Sequence, residues 1–254
     1  MLLHSKIIGD SNKHILILHG FLGSGDNWIS VSRKLNDIGF TIHLIDQRNH
    51  GRSFHSEKFD YELMCEDLFN YIEYYNVINP ILIGHSMGGK TAMRFSLKYP
   101  ELIQKLIVLD TSPREYPVLH QAIIDSLKEI DLSIYNTRNS VDDKLKESIK
   151  QKDLRNFLMK NIYRTNDGKL SFRFNLRSLS KNIGNIGKKI ESDNQFNADV
   201  IFIKGENSEY INESDKESIN ILFPNSKFYI IPNAGHWLHV DNPNDFLSVL
   251  LSTI

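Results

Sequence analysis

The sequence predicts an α/β protein with a mostly parallel central sheet and helices on both of its faces. Residues 14–18, 81–83 and 106–109 form short apolar runs without alternation, which is typical of strands buried on both faces. Between these runs, apolar residues recur at helical spacing, so strands and helices alternate along the first half of the chain. The chain has 254 residues, of which 41% are hydrophobic, and this is enough for one large domain of this class.

The charge and cysteine content narrow the range of functions. Thirty basic and 31 acidic residues leave a formal net charge of -1, so we expect no strong attraction to nucleic acid or to an anionic membrane. No apolar run is long enough to cross a bilayer, and the N-terminal sequence lacks the order of a signal peptide. A single cysteine, Cys65, cannot form an internal disulfide. We therefore expect a cytoplasmic protein whose partner is a small molecule.

The first part of the chain follows the α/β rhythm element by element. Asp26 is expected to cap the first helix and Gly39 to end it, while Pro100 ends the third. The predicted elements are an edge strand at 2–8, strands at 14–18, 40–45, 81–83 and 106–109, and helices at 26–39, 61–75 and 90–99.

The rhythm stops at about residue 114, because no buried strand follows until about residue 200. Apolar residues at helical spacing, as between Ile123 and Ile130, indicate an inserted helical cap with residues 123–134 lining a pocket. We expect a single domain over residues 1–254. Its predicted parts are a core at 1–113 and 197–254 and a cap at about 114–196.

One turn signal, two further strands and a last helix complete the prediction. Asn166-Asp167-Gly168 indicates a hairpin turn within the cap. Strands are expected at 200–203 and 228–231, and Asn242 with Pro243 is typical of the first residues of a last helix.

Gly84-His85-Ser86-Met87-Gly88 lies between a buried strand and a helix. In such a sharp turn a serine is held in a strained conformation, and glycines two positions on either side remove collisions with the flanking elements. The helix that follows directs its free N–H groups toward the serine. The pattern predicts Ser86 as a nucleophile.

A serine nucleophile requires a histidine base, and ten histidines compete for that role. Chemistry in an open α/β sheet gathers at the carboxyl ends of the strands. His236 follows the last predicted strand and completes the chain order serine, acid, histidine. His239 is a weaker rival, and His85 lies beside the serine in a direction that does not suit a base.

The acid that orients His236 has more than one candidate. Asp110 stands at the end of the strand that follows the nucleophile helix. Glu206 and Glu209 lie in the loop after the penultimate strand, which carries Ser208 where we would expect an aspartate. We favour Asp110 and keep both glutamates as alternatives.

The oxyanion formed by attack on a carbonyl requires two preorganised donors. The backbone N–H of Met87, at the helix start, and that of Phe21, in the loop after the first buried strand, are the expected pair. His19 is expected to brace this loop rather than bind a metal, because no second ligand lies at metal-binding spacing. Asp46 and Arg48 are expected to satisfy the backbone of their own turn.

Together these motifs resemble the α/β-hydrolase superfamily and, more narrowly, the YbfF-type bacterial esterases and their mitochondrial relatives. The features that point to this narrower group within the superfamily are Lys90 after the glycine pair, the Arg-Asn-His-Gly turn at 48–51, and Gly-Glu-Asn-Ser at 205–208. The likeness implies a cofactor-free serine esterase with acyl thioesters as further substrates and with the acid displaced toward Asp110. The motifs that carry it are His19-Gly20-Phe21-Leu22-Gly23-Ser24, Asp46-x-Arg48-Asn49-His50-Gly51-x-Ser53, Gly84-His85-Ser86-Met87-Gly88-Gly89-Lys90 and Asn233-Ala234-Gly235-His236-Trp237.

The leading hypothesis is therefore a Ser86–His236–Asp110 hydrolase that cleaves a small carboxylic ester or acyl thioester through an acyl-enzyme. A carbon–carbon bond hydrolase or a biosynthetic methyl-ester hydrolase would keep the same triad and differ in the cap. The contrasting class is a non-catalytic binding protein of the same fold, against which the intact serine, histidine and glycine loop argue.

Overall fold

The computed structural model describes residues 1–254 and contains a seven-stranded sheet in the order β1-β3-β2-β4-β5-β8-β9. β1 pairs antiparallel with β3, and every other pairing in this sheet is parallel. The predicted class, with a mostly parallel sheet and helices on both faces, is confirmed. The strands are β1 (Ser5–Ile8), β2 (His14–Leu18), β3 (Thr41–Ile45), β4 (Ile81–His85), β5 (Lys105–Leu109), β8 (Asp199–Gly205) and β9 (Ser226–Ile231).

Two apolar layers cover the sheet because successive strand residues point to opposite faces. In β4, Leu82 packs in the larger cluster of buried residues, and Ile81 and Ile83 pack in the smaller cluster on the other face. The helices that pack on the sheet are α1 (Ile29–Asp37), α2 (Tyr61–Tyr75), α3 (Met87–Lys98), α8 (Asp215–Leu222), α9 (Leu238–Asp241) and α10 (Pro243–Thr253). The smaller cluster also contains residues of α1 and α10, and the larger one contains residues of α2, α3, α8 and the stretch between β5 and β8.

The stretch between β5 and β8 is mainly helical. A two-stranded hairpin interrupts the helices, with its turn at the predicted Asn-Asp-Gly sequence, where Gly168 has φ 84°. The elements of this stretch are α4 (Gln121–Lys128), α5 (Arg138–Ser148), α6 (Lys152–Met159), β6 (Ile162–Arg164), β7 (Leu170–Phe172) and α7 (Leu176–Lys181).

Some element boundaries differ from the prediction. Asp26 does not cap the first helix: it lies inside a 3-10 turn, Gly25–Trp28, that begins after an extended Ser24. The nucleophile helix begins at Met87, three residues before the predicted start, because a helix can begin directly after the strained serine. Asn242 does cap the last helix, accepting a hydrogen bond from the N–H of Asp245 at 3.3 Å. None of the helices combines the length and apolar character needed to cross a bilayer.

Candidate active site

Ser86 occupies the turn between β4 and α3. Its φ of 53° and ψ of -117° form a sparsely populated conformation that costs a non-glycine residue on the order of 1–3 kcal/mol. A side chain at Gly84 would overlap the carbonyl of Gly88, and a side chain at Gly88 would overlap the carbonyl of Leu18 at the end of β2. The two glycines therefore let β2, β4 and α3 approach closely enough to hold Ser86 at the carboxyl edge of the sheet.

Asp110 and His236 meet at the same edge. Asp110 follows β5 with φ 50° and is fully buried, and its Oδ2 lies 2.7 Å from Nδ1 of His236 in the loop between β9 and α9. Its Oδ1 accepts the N–H of Gly205 at 3.1 Å, and Oδ2 also accepts the hydroxyl of Ser208. Because the carboxylate accepts from Nδ1 of His236, that nitrogen carries the proton and Nε2 is left as an acceptor.

The alternative acids have other environments. Glu206 accepts the N–H of Asn233 at 2.8 Å, and Glu209 is exposed. Of the three candidates, Asp110 alone contacts the ring of His236.

The ring of His236 is held between neighbouring rings. Tyr210 stacks on it with 4.0 Å between ring centroids, and the ring of His85 lies 4.7 Å away. Nε2–H of His85 donates to the carbonyl of His236 at 2.8 Å, and burial holds the pKa of His85 well below its usual value. His239 stacks on Trp28 at 4.1 Å, and burial lowers its pKa to about 3. The two rival histidines therefore stay neutral and serve as packing partners.

Ser86 and His236 line the same large cavity. No hydrogen bond joins the serine hydroxyl to Nε2 of His236, whose ring bonds to Asp110 alone. Catalytic hydrogen bonds of this kind are often long before substrate binds.

The two expected oxyanion donors flank Ser86. The N–H of Met87 begins α3, and the N–H of Phe21 lies in the loop after β2; neither bonds to another part of the chain. A side chain at Gly20 would lie 3.3 Å from Cβ of Ser86, so this loop passes directly beside the serine. Nε2 of His50 accepts the N–H of Leu22 at 3.1 Å and fixes the same loop.

His19 is hydrogen-bonded within the protein at both ring nitrogens. Nδ1 donates to the carbonyl of Gly20 at 2.8 Å, and Nε2 accepts the N–H of Gln47 at 3.0 Å. The Gln47 side chain returns a bond to the His19 carbonyl at 2.8 Å, so the two loops brace each other. No group of three or more His, Cys, Asp and Glu side chains is arranged to hold a metal ion.

The structure separates the roles of Asp46 and Arg48. Asp46 accepts backbone N–H groups of Gly25 and Arg52, each at 2.8 Å, and so ties its own turn to the preceding loop, as expected. Arg48 also has a structural role: its guanidinium donates to the carbonyl of Lys58 in the loop before α2 at 3.2 Å. It binds both carboxylate oxygens of Asp67 in α2 as well, at 2.5 and 2.8 Å, a partner on a different element that was not predicted.

Lys90 is a buried charged residue to which sequence reasoning assigned no role. Its ammonium donates to the carbonyls of Arg114 at 2.7 Å, Gly187 at 3.2 Å and Lys188. Burial and the Arg114 guanidinium lower its pKa to about 7. The sequence did hold a signal for its burial: the lysine lies in the first turn of a helix, and the residues next to it are small or apolar.

Two cavities of very different size meet at Ser86. The larger, of about 850 Å³, is lined by His236, Trp237 and the α6 residues Leu154 and Phe157, among others. The smaller measures about 20 Å³. Of the predicted lining region at 123–134, Ile123 does line the larger cavity, but Ile134 is 67% exposed. α6 supplies much of the wall instead.

A strained serine, a hydrogen-bonded histidine–carboxylate pair and two free N–H groups at one sheet edge are typical of serine hydrolases. A model of the "alpha/beta hydrolase fold" family matches residues 13–243. The chain belongs to this family.

Relatives and solved structures agree with that assignment. A "Putative esterase/lipase" of Haemophilus influenzae is 39% identical over 231 residues, covering 91% of this chain and 79% of that protein. "Esterase YbfF" of Escherichia coli is 30% identical over 244 residues, covering 94% and 92%. The structure of a "Marine microorganism esterase" matches with TM-score 0.97 and 43% identity, covering 100% of this chain and 99% of that one. These findings confirm the predicted resemblance and the prediction of an enzyme that hydrolyses carboxylic esters.

Proposed function

We propose that the protein is a serine esterase that works through a Ser86–His236–Asp110 triad and an acyl-enzyme. The observation that carries the proposal is the 2.7 Å contact between His236 Nδ1 and Asp110 Oδ2, at the sheet edge where Ser86 is held in its strained turn. The pair leaves Nε2 of His236 as the acceptor for the serine proton.

The proposed reaction has two halves. Ser86 Oγ attacks the ester carbonyl while His236 takes the hydroxyl proton, and the N–H groups of Phe21 and Met87 stabilise the oxyanion. His236 then gives the proton to the leaving oxygen, and the acyl group stays on Ser86. A water molecule, deprotonated by His236, releases the acid. Acyl thioesters undergo the same attack with a sulfur leaving group, and no step requires a cofactor.

We further propose that residues 114–196 act as a cap on a core formed by residues 1–113 and 197–254. Leu154 and Phe157 of α6 line the cavity that Ser86 faces. An apolar wall at this place would limit access of bulk water to the serine and shape the substrate site.

Intact mass after incubation with a fluorophosphonate tests the proposal. One adduct is expected on the parent protein and none on Ser86→Ala, because only an activated serine reacts. Ser96→Ala is the matched control, since this second buried serine lies on α3 and bonds to the carbonyl of Met93. An adduct that persists on Ser86→Ala would show that another residue is the nucleophile. A folded parent protein that takes up no adduct would reject Ser86 as an activated nucleophile and favour a non-catalytic binding protein.

A further inference from the structure

The two cavities beside Ser86 are not equivalent with respect to His236. The serine lines both of them, whereas His236 lines the 850 Å³ cavity and is absent from the lining of the 20 Å³ cavity. The small cavity is lined instead by Tyr61, Lys90, Tyr116 and Ile183, among others.

This asymmetry distinguishes the two halves of an ester. In the tetrahedral intermediate, the carbonyl carbon carries Ser86 Oγ, the oxyanion, the acyl chain and the leaving oxygen. His236 must donate its proton to the leaving oxygen, so that oxygen lies on the histidine side. The alcohol therefore extends into the large cavity, and the acyl chain is directed toward the small one.

The two cavity volumes set different limits on the size of the group that each cavity can hold. A buried site needs roughly 10–15 Å³ to hold one water molecule, so about 20 Å³ admits a group of only a few heavy atoms. The 850 Å³ cavity is within the range of roughly 300–1,000 Å³ that is typical of sites for drug-sized ligands.

The walls of the small cavity are fixed by hydrogen bonds. The Tyr61 hydroxyl donates to the carbonyl of Ile186 at 2.7 Å, and the Tyr116 hydroxyl donates to the carbonyl of Tyr210 at 2.5 Å. The N–H of Tyr116 also donates to the carbonyl of Gly187 at 2.8 Å. A longer acyl chain would have to displace these walls and break such partly buried bonds, each of which costs free energy to leave unmade.

We propose that the substrates are esters of a short acyl group, such as acetyl, with a bulky alcohol. The inference rests on the proposed function. Attack of Ser86 forms the O–acyl bond, cleavage of the ester bond releases the alcohol with the proton from His236, and hydrolysis of acyl-Ser86 yields the short acid. The small cavity sets the acyl length and the large cavity accepts the alcohol.

The test compares p-nitrophenyl acetate, butyrate, octanoate and laurate, which share one leaving group. The expected kcat/KM for acetate exceeds that for octanoate by at least about 10-fold, as one misplaced methylene already costs that much in a tight pocket. The acetate of 4-methylumbelliferone, a larger alcohol, should be cleaved as efficiently as p-nitrophenyl acetate. A kcat/KM that is flat or rises with acyl length would overturn the proposal.

Two side-chain truncations test which of the two cavities sets the preference for a short acyl chain. Ile183→Ala, in the small cavity, should raise the octanoate-to-acetate ratio of kcat/KM by about 10-fold. Leu154→Ala, the matched control in the large cavity, should leave this ratio unchanged; the reverse pattern would place the acyl chain in the large cavity. The parent series is decisive even if Ile183→Ala does not fold.

Fluorophosphonate labelling separates the two possible failures. An adduct on Ser86 together with a flat acyl profile would refute the acyl-length inference alone. A folded parent with no adduct and no turnover of any ester would refute the proposed function, and the inference with it.

Discussion

Asp110 reaches His236 because β5 and β8 are neighbours in the sheet and β9 follows next to β8. The loop after β8 does not supply the acid. It supplies Ser208, whose hydroxyl donates to Asp110, while Gly205 at the end of β8 donates its N–H to the other carboxylate oxygen. These hydrogen bonds give partners to both oxygens of a fully buried carboxylate. The same loop thus stabilises an acid that another strand provides.

Asp110→Asn should lower kcat by about 10⁴-fold, because an amide no longer holds His236 in the tautomer that accepts the serine proton. Steady-state hydrolysis of p-nitrophenyl acetate measures the loss. Glu206→Gln and Glu209→Gln are the matched controls, since neither carboxylate contacts His236, and both should keep near-parental kcat. A nearly silent Asp110→Asn combined with loss of activity in either glutamate variant would contradict the assignment.

At the scale of elements, α3 connects the serine turn to both ends of the helical insert. Lys90 lies one turn after Ser86 and donates to carbonyls at residue 114 and at residues 187 and 188. Its ammonium also lies 4.7 Å from the ring centroid of Tyr116. A single side chain therefore contacts both ends of the mainly helical stretch between β5 and β8, and it also lines the small cavity.

Lys90→Met should lower the free energy of unfolding by about 2–4 kcal/mol, because it leaves buried carbonyls without a donor. Urea denaturation at pH 8 measures this, since the lowered pKa of Lys90 makes the cost of burying its charge small there. Lys98→Met on the same helix is the control: that lysine forms a partly exposed ion pair with Glu62, so its loss should cost less than about 1 kcal/mol. Equal stability of the two variants would show that Lys90 does not secure the insert.

At the scale of the whole molecule, the features that could be predicted from the sequence are those that depend on a local residue pattern. The buried strands, the helix at Tyr61–Tyr75, the serine turn and the position of His236 all follow from apolar periodicity, glycine spacing and the order of strand ends. The pairing of Arg48 with Asp67 and the three acceptors of Lys90 join residues on separate elements, which no local pattern encodes. The large contribution of α6 to the cavity was missed for the same reason, because it depends on how the insert packs over the sheet.

The folded chain buries neutral histidines, and this should make it less stable in acid. Burial lowers the pKa of His43 to about 4 and that of His50 to about 3. Their usual pKa is 6.5, so between these values the unfolded chain binds more protons than the folded chain. The stability from these groups is therefore fully present above about pH 6.5 and is lost as pH falls toward their folded pKa values.

His43→Gln should flatten the dependence of unfolding free energy on pH by about 1 kcal/mol per pH unit near pH 5, because one buried histidine no longer resists protonation. Urea titrations at pH 7, 6 and 5 measure the slope. His55→Gln is the control, since that side chain is exposed, and it should keep the parental slope. His43 Nδ1 lies 2.8 Å from the Tyr71 hydroxyl, so loss of this contact should lower stability by a similar amount at all three pH values. A parallel downward shift without a change in slope would therefore show that His43 contributes packing and hydrogen bonding but is not a source of the acid sensitivity.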